Sequence, residues 1–365
     1  METRLLACAG EASGDRLAAQ VVVALEARRP LAVRGLAGSK MRLAGVDAMA
    51  RAESITAVGV VEALRAVRRA PAVLNRLADA MDSWQPDLVL TVDSPGLLLH
   101  VGRRARRRGI PVVHLVSPQL WAWRPGRARR VASAADAVLC LLPMEPPLYE
   151  GTGLRAVFVG HPGAISPETT SPKRAGPPVF GLAPGSRSSE IEALWPVFLE
   201  VAACLRRRFP ACTFSVLVAP TIDRRALGGL EATFHDDIGA ATAAADVFLA
   251  ASGTVTIELA AHRTPMVVAY RVHPLTWAIG RMLVRGVRHL ALPNVLAGRA
   301  VVPEHLQRLD PEAIAADMAR LTGLHGEAQC RHLAPIVARL RGEGAVERIA
   351  DEIERLLEPG RAKPR

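Results

Sequence analysis

Three stretches of this chain put chemistry-bearing residues directly after an apolar run. In "PDLVLTVDSPG", Asp93 ends a run that reads as a buried strand and stands just ahead of Ser94-Pro95-Gly96. A carboxylate in that place can serve as general base toward a hydroxyl, or it can cap the helix that follows. "PVFGLAP" leads into Gly185-Ser186-Arg187-Ser188-Ser189-Glu190 and then into a helical stretch. Ser188 or Ser189 can cap that helix. Its free amides beside the Arg187 guanidinium suit a diphosphate, against the alternative of a capped helix with one solvated arginine. "ADVFLAA" leads into Ser252-Gly253-Thr254, whose backbone amides at Gly253 and Thr254 can hold the same phosphates. Glu258 falls about one turn into the next helix, where a carboxylate can accept bonds from ribose hydroxyls. Each turn alone is common; two in one half of the chain can converge on one nucleotide.

A fourth turn has a different character. "LLACAGEASGD" has the strand, glycine turn and helix of a phosphate loop, yet places Glu11 where phosphate would be repelled. Gly10 and Gly14 let the backbone turn tightly beside Glu11, whose task these residues alone leave open. His114 and His161 lie on or after strand runs and read as satisfied core or loop residues. The run Ser117-Pro118-Gln119-Leu120-Trp121-Ala122-Trp123-Arg124 is bulky for a chain with 4% aromatic residues. It suits an acyl or sugar surface, or a structural plug. Cysteines 8, 140, 204, 212 and 330 are odd in number and without a C-x-x-C, which fits a reducing compartment and no metal or disulfide framework. The absence of D-x-D, of metal-ligand spacing, of a G-x-S-x-G elbow and of a G-x-x-x-x-G-K-[ST] loop argues against metal enzymes, hydrolases and kinases. No metal and no cofactor is expected.

The elements that must position these residues alternate along the chain. Strands are expected at "TRLLACA", "LAVRGLA", "DLVLTVD", "IPVVHLV", "DAVLCLL" and "AVFVG", with helical segments between most of them. "HPGAISPETTSPKRAGPP" interrupts the pattern as a linker, and strands resume with "PVFGLAP", "CTFSVLV", "ADVFLAA" and "PMVVAYR". Strand–helix alternation implies parallel sheets covered on both faces. The expectation is an α/β protein with a first Rossmann-like lobe at 1–162, a linker at 163–178 and a second Rossmann-like lobe at 179–330. A helical segment at 331–365 would pack back on the first lobe or on a partner. In such sheets ligands bind beyond the carboxyl ends of the strands, so the two lobes would face a cleft.

With 365 residues, half of them apolar, the chain can bury a core large enough for two domains. It opens without signal-peptide features, and no stretch reaches about 18 uninterrupted apolar residues, so a cytoplasmic protein is expected. Net charge is +11, and only Lys40, Lys173 and Lys363 among the 46 basic residues are lysine. "GRRARRRG" (102–109), "WRPGRARR" (123–130) and "WAIGRMLVRGVRH", with Arg281, Arg285 and Arg288 along one face, set basic residues beside apolar ones. Such surfaces attract anionic membranes, against the alternative of a solvated basic helix face. No zinc finger, RNP-like pattern or basic tail points to nucleic acid.

A phosphate-and-ribose site on one lobe and a carboxylate on the other is the layout of a metal-independent, GT-B type nucleotide-sugar glycosyltransferase. The chain resembles the lipid-A-disaccharide synthases of Gram-negative lipopolysaccharide assembly. The matching segments are "AGEASGD", "VGVVEAL", "SPQLWAWRPGRARRV", "CLLPMEPPLYE", "VGHP", "APGSRSSEI", "ASGTVTIELA", "PMVVAYRVHPLTW" and "LPNVLAGRAVVPE", in order along most of the chain. The resemblance implies inverting transfer of 2,3-diacylglucosamine from UDP-2,3-diacylglucosamine to 2,3-diacylglucosamine 1-phosphate (lipid X), releasing UDP. Carried over, Asp93 is the base, with Glu11 beside it in the catalytic set. Gly185, Ser186, Arg187, Ser252, Gly253, Thr254, Glu258 and Asn294 belong to the UDP-sugar site; Ser13, Trp121, Trp123 and Arg124 belong to an acceptor or lipid surface. Acylated substrates imply peripheral contact with the inner face of the cytoplasmic membrane, and a homo-oligomer is compatible with the pattern. Two departures stand out: Arg16-Leu17-Ala18-Ala19 where the family has a His-Gly pair, and Gly163-Ala164-Ile165 where it has Leu-x-Asp. The competing expectations are another UDP-sugar enzyme of this fold, with a different acceptor or as a 2-epimerase, and a non-catalytic membrane-surface relative.

Overall fold

The computed structural model describes residues 2–54, 60–121, 125–167, 176–272 and 288–358. Trp123, Arg124, Arg281 and Arg285 lie outside the described residues, as does the middle of the expected linker. The chain divides into two compact units, Met1–Pro162 with Glu343–Arg365, and Gly163–Gly342.

The first unit is built on β1 (Thr3–Ala9), β2 (Leu31–Ala37), β3 (Asp47–Arg51), β4 (Leu88–Val92), β5 (Val112–Leu115), β6 (Ala137–Cys140) and β7 (Arg155–Phe158). They form one sheet in the order β3-β2-β1-β4-β5-β6-β7, every pair parallel. Because successive side chains leave opposite faces of a strand, β1 feeds two cores at once. Leu5, Ala7 and Ala9 pack with Leu17, Val21 and Leu25 of the helix Ala12–Glu26, while Leu6 and Cys8 pack with Leu77, Met81, Leu98 and Val101.

The second unit carries β8 (Val179–Ala183), β9 (Thr213–Leu217), β10 (Thr233–His235), β11 (Val247–Ala251), β12 (Met266–Tyr270) and β13 (Glu304–Leu306). Their order is β10-β9-β8-β11-β12-β13, again all parallel. Strands β4, β8 and β11 are buried at all five positions, which is why an uninterrupted apolar run marks each in the sequence. The strands without such a run, β3, β10 and β13, are sheet edges, and none of their residues is fully buried.

The unit boundary near the C-terminus differs from the expected division at 330. That position falls inside the helix Leu324–Arg339, which belongs to the second unit. Its buried Gln329 accepts from Met266 N (2.7 Å) and donates to Met266 O (3.0 Å), and Leu333, Ile336 and Val337 are buried. The chain returns only at Glu343, and the helix Ala345–Leu357 joins the first unit's core through Ile349, Ala350 and Ile353, all 0% exposed. Arg28 pairs with Asp351 (2.7 Å) and Glu354 (3.0 Å), and Arg155 with Glu352 (2.8 Å). Half-exposed pairs of this kind contribute at most about 1 kcal/mol each, whereas burying an isoleucine contributes about 1.5–3 kcal/mol. Packing holds this helix; the arginines orient it.

Candidate functional site

In the first unit the strand order reverses between β1 and β4, and the open ends of both strands carry the residues singled out above. This switch point is where doubly wound sheets bind ligands. After β1 the chain turns through Gly10 and Glu11 into the helix Ala12–Glu26; Glu11 sits at the cap position in an extended conformation, and its carboxylate does not cap the helix. The turn lies hard against the one after β4. A Cβ on Gly10 would come within 2.6 Å of Ser94 Oγ, and one on Gly14 within 3.5 Å of Asp93 Cβ. Glycine at position 10 is what lets the Glu11 turn and the Asp93 turn share one place.

Asp93 and Ser94 both adopt left-handed backbone, with φ of +57° and +44°. Such conformations cost about 1–3 kcal/mol each away from glycine and collect at functional sites. Asp93 is anchored by its amide, which donates to Leu115 O (2.9 Å), and its Oδ1 accepts from the adjacent Ser94 N (2.8 Å). The helix Pro95–Arg107 begins with Ser94 as cap, and the Ser94 side chain makes no capping bond. The half-buried carboxylate stays at the strand end as an acceptor.

Asp15, the last residue of "GEASGD", has another task. It is 4% exposed and accepts from the amides of Gly38 (2.8 Å), Lys40 (2.8 Å) and Met41 (3.1 Å), fixing the turn after β2. Asp15→Ala would leave these donors unpaired in a buried place. The expected cost is about 3 kcal/mol or more, read as a lower urea midpoint at unchanged slope. Ser13 is exposed on the first turn of the same helix. Trp121 is carried by the segment after β5, whose Leu120 packs with Ala128, Val131 and Tyr149; the indole N–H is sheltered and unpartnered.

In the second unit the order reverses between β8 and β11, and the two small-residue turns stand at those strand ends. The loop after β8 is not an open anion site. Glu190 Oε2 accepts from Ser186 N (2.9 Å) and Arg187 N (3.2 Å), and Arg187 Nη1 donates to Oε1 (3.2 Å). The carboxylate of Glu190 thus occupies two of the donors expected to meet phosphate. Gly185, at φ +118°, makes room for it, since a Cβ there would lie 2.5 Å from Glu190 Oε2. Arg187 keeps its side chain 57% exposed. The spacing of Glu190 three residues after Arg187 is that of a capping box and was the signal available for its role.

The turn after β11 is open. Among the described residues no heavy atom lies within 4 Å of a Cβ built on Gly253, and its φ is not left-handed, so none of them requires glycine there. Room for close approach of a ligand is what the missing side chain leaves. Thr254 is exposed, Glu258 is half-buried one turn on, and Ser252 Oγ donates to Leu290 O (3.1 Å). Asn294 is different: it is 0% exposed and its amide is saturated from inside. It accepts from Val301 N (2.6 Å) and Val302 N (2.9 Å) and donates to Val302 O (2.8 Å) and Glu304. Its side-chain amide ties Leu292–Ala297 to residues 301–304.

Residues 5–336 match the family described as lipid-A-disaccharide synthetase. The chain belongs to the lipid-A-disaccharide synthase family. It is 41% identical over 370 residues to the lipid-A-disaccharide synthase of Anaeromyxobacter dehalogenans (strain 2CP-C), covering 96% of each chain. To that of Myxococcus xanthus (strain DK1622) it is 37% identical over 382 residues, covering 98% of each. Among solved structures, the glycosyltransferase of kitacinnamycin superposes with TM-score 0.67 at 17% identity, covering 98% of this chain and 100% of that one. The calicheamicin glycosyltransferase CalG4 gives 0.65 at 18%, covering 100% of both. UDP-GlcNAc 2-epimerase from Neisseria meningitidis bound to UDP-GlcNAc gives 0.65 at 12%, covering 97% and 100%. These likenesses establish the GT-B fold, two parallel-sheet α/β domains.

Within this lipid-A-disaccharide synthase family member, Leu17 and Ala18, where the His-Gly pair would stand, are buried in the first unit's core, and Arg16 is exposed with its charge near His161. Among the described residues no group of three His, Cys, Asp or Glu side chains could hold a metal ion, and no helix is long and apolar enough to cross a membrane. Much of the basic run after Gly102 serves internal ties: Arg103 to Ser133, Arg106 to Asp136 and Arg108 to Asp82.

Burial pushes both His114 and His161 down to about 4, with the Arg16 charge adding to the effect at His161, while burial pushes Glu145 up to about 8. His114 Nδ1 lies 2.8 Å from Thr91 Oγ1, as suits a neutral core histidine. The histidines bind protons in the unfolded chain before the folded one, so their contribution is lost as pH falls from about 6.5 toward 4. Glu145 acts in the opposite sense, its contribution being present below about 4.5 and lost as pH rises toward 8. Between about pH 6 and 5 one net proton favours the unfolded chain. Stability is expected to fall by about 1.4 kcal/mol per pH unit there, measured by urea unfolding.

Proposed function

We propose that the protein transfers 2,3-diacylglucosamine from UDP-2,3-diacylglucosamine to the 6-hydroxyl of 2,3-diacylglucosamine 1-phosphate, giving a β-1,6-linked disaccharide 1-phosphate and UDP. The observation that carries this reading is family membership over nearly the whole chain, joined to a strained carboxylate at one switch point and an open glycine turn at the other. Asp93 takes the proton from the acceptor hydroxyl as its oxygen forms the new bond to the sugar C1. The bond from C1 to the diphosphate breaks on the opposite face, and its electron pair leaves with UDP. Glu11 orients the acceptor sugar. The Arg187 guanidinium, with the amides of Ser186 and Arg187 that Glu190 now occupies and the glycine turn at Gly185, carries the negative charge that develops on the leaving group. Ser252, Gly253 and Thr254 bring backbone close to the phosphates, and Glu258 meets the ribose. Ser13, Trp121, Trp123 and Arg124 belong to the acceptor or lipid surface. Both substrates are acylated amphiphiles, so the basic surface works peripherally at the inner face of the cytoplasmic membrane.

The test is UDP release from UDP-2,3-diacylglucosamine by purified protein, with and without 2,3-diacylglucosamine 1-phosphate. Release that requires the acceptor is the expected result. Binding of UDP without any turnover would overturn the acceptor assignment, and sugar turnover independent of the acceptor would point to an epimerase or hydrolase instead.

A further inference from the structure

One buried acid of the second unit is left without a role by the reaction above. Glu304, on the edge strand β13, has its side chain 8% exposed, and burying a carboxylate is costly unless donors surround it. The fold supplies three. Oε2 accepts from Leu290 N (2.9 Å), and Oε1 accepts from Asn294 Nδ2 and lies 3.3 Å from His289 Nδ1. The first two donors tie the segment together and have no exposed part to play: Leu290 contributes a backbone amide and Asn294 is fully buried. His289 differs from both. Its ring is 24% exposed, and Glu304 is its polar partner among the described residues, engaged through Nδ1 only. The second ring nitrogen remains for something else.

The location narrows what that is. Leu290, the next residue, accepts from Ser252 Oγ (3.1 Å), so His289 is joined by one hydrogen bond and one residue to the open Ser252-Gly253-Thr254 turn. Arg288, exposed, adds a positive charge to the same segment. A histidine whose Nδ1 faces a carboxylate is fixed in orientation, which leaves Nε2 for a second partner. An imidazolium donates from both ring nitrogens, so a ring in this place can bridge Glu304 and an oxyanion.

We infer that His289 binds a phosphate oxygen of the nucleoside diphosphate, and that Glu304 is a positioning residue that aims it. The inference rests on reading the second unit as the UDP-sugar site. It explains why a buried acid stands in a site for an anionic ligand. Glu304 meets no phosphate; it orients the His289 ring and fixes the Leu290 segment to which Ser252 is bonded.

The experiment is calorimetric titration of the full-length protein with UDP, and displacement of UDP by uridine, for wild type, His289→Ala and Glu304→Gln, with a melting curve for each. The expected result for His289→Ala is UDP binding weakened about tenfold or more, the scale of one charge-assisted hydrogen bond. Uridine binding should stay within about twofold and the melting temperature should hold. Glu304→Gln should weaken UDP binding in the same direction and, in turnover, raise the donor KM with the acceptor KM unchanged. UDP binding by His289→Ala within about twofold of wild type would overturn the inference, as would equal loss of UDP and uridine, which would mean a contact to the base or to the fold. If wild type fails to bind UDP, the donor-site reading itself falls, and this inference with it.

Discussion

Asp93→Asn is expected to lower kcat by about 10²–10⁴-fold, the usual range for losing a general base, while leaving UDP binding and the melting temperature close to wild type. The choice of asparagine matters because Asp93 stands at φ +57°, followed by Ser94 at +44°. Asparagine tolerates left-handed backbone better than other branched or bulky residues, and its side-chain oxygen can still accept from Ser94 N, as Asp93 Oδ1 does at 2.8 Å. The anchor from the Asp93 amide to Leu115 O is untouched. The substitution therefore removes the capacity to take a proton and little else. Asp93→Gly makes the converse test, since glycine relieves the strained backbone and should raise stability by a few tenths to about 1 kcal/mol while abolishing turnover. Activity surviving in Asp93→Asn within about threefold of wild type would remove Asp93 from the role of base.

Arg187→Ala is expected to lower kcat/KM by about 10²–10³-fold with only a small change in stability. The arginine side chain is 57% exposed, and its pairing with Glu190 at 3.2 Å is of the kind that contributes at most about 1 kcal/mol. In the proposed reaction its charge would matter far more, since a guanidinium beside the leaving diphosphate offsets the negative charge that develops there. Lysine should not restore the rate in full, since a single ammonium cannot reproduce the planar donor fork. Glu190 gives this prediction a second reading. Its carboxylate holds Ser186 N and Arg187 N in the structure, so a diphosphate bound as proposed would compete with it for the same donors. A rate in Arg187→Ala equal to wild type would place leaving-group stabilisation elsewhere in the second unit.

The sequence by itself determined the central strands and the turns that follow them. β1, β4, β8 and β11 announce themselves because a parallel strand covered on both faces must be apolar at consecutive positions. The strand-end positions of Asp93, Glu11, Arg187 and Gly253 were legible for a related reason: those four residues interrupt the apolar pattern just after β4, β1, β8 and β11. The edge strands β3, β10 and β13 were not legible, because half-exposed short strands need no apolar run.

Only the tertiary structure decided which carboxylates are taken up by backbone amides. Asp15 and Glu11 share one motif, yet Asp15 is taken by three backbone amides and Glu11 is not used as a cap. Glu190 fills donors that its own loop was expected to offer to phosphate. Asn294 proved saturated by residues 301–304, and the pair of Glu304 with His289 joins positions 15 residues apart that no local pattern relates. The last helix likewise returns to the first unit across the whole second one, held by Ile349 and Ile353. Periodicity records how a segment meets solvent and core; it does not record which partner meets a buried polar group. That pairing is a property of the packed chain, because a hydrogen bond in the interior is satisfied by whatever donor the fold brings within reach.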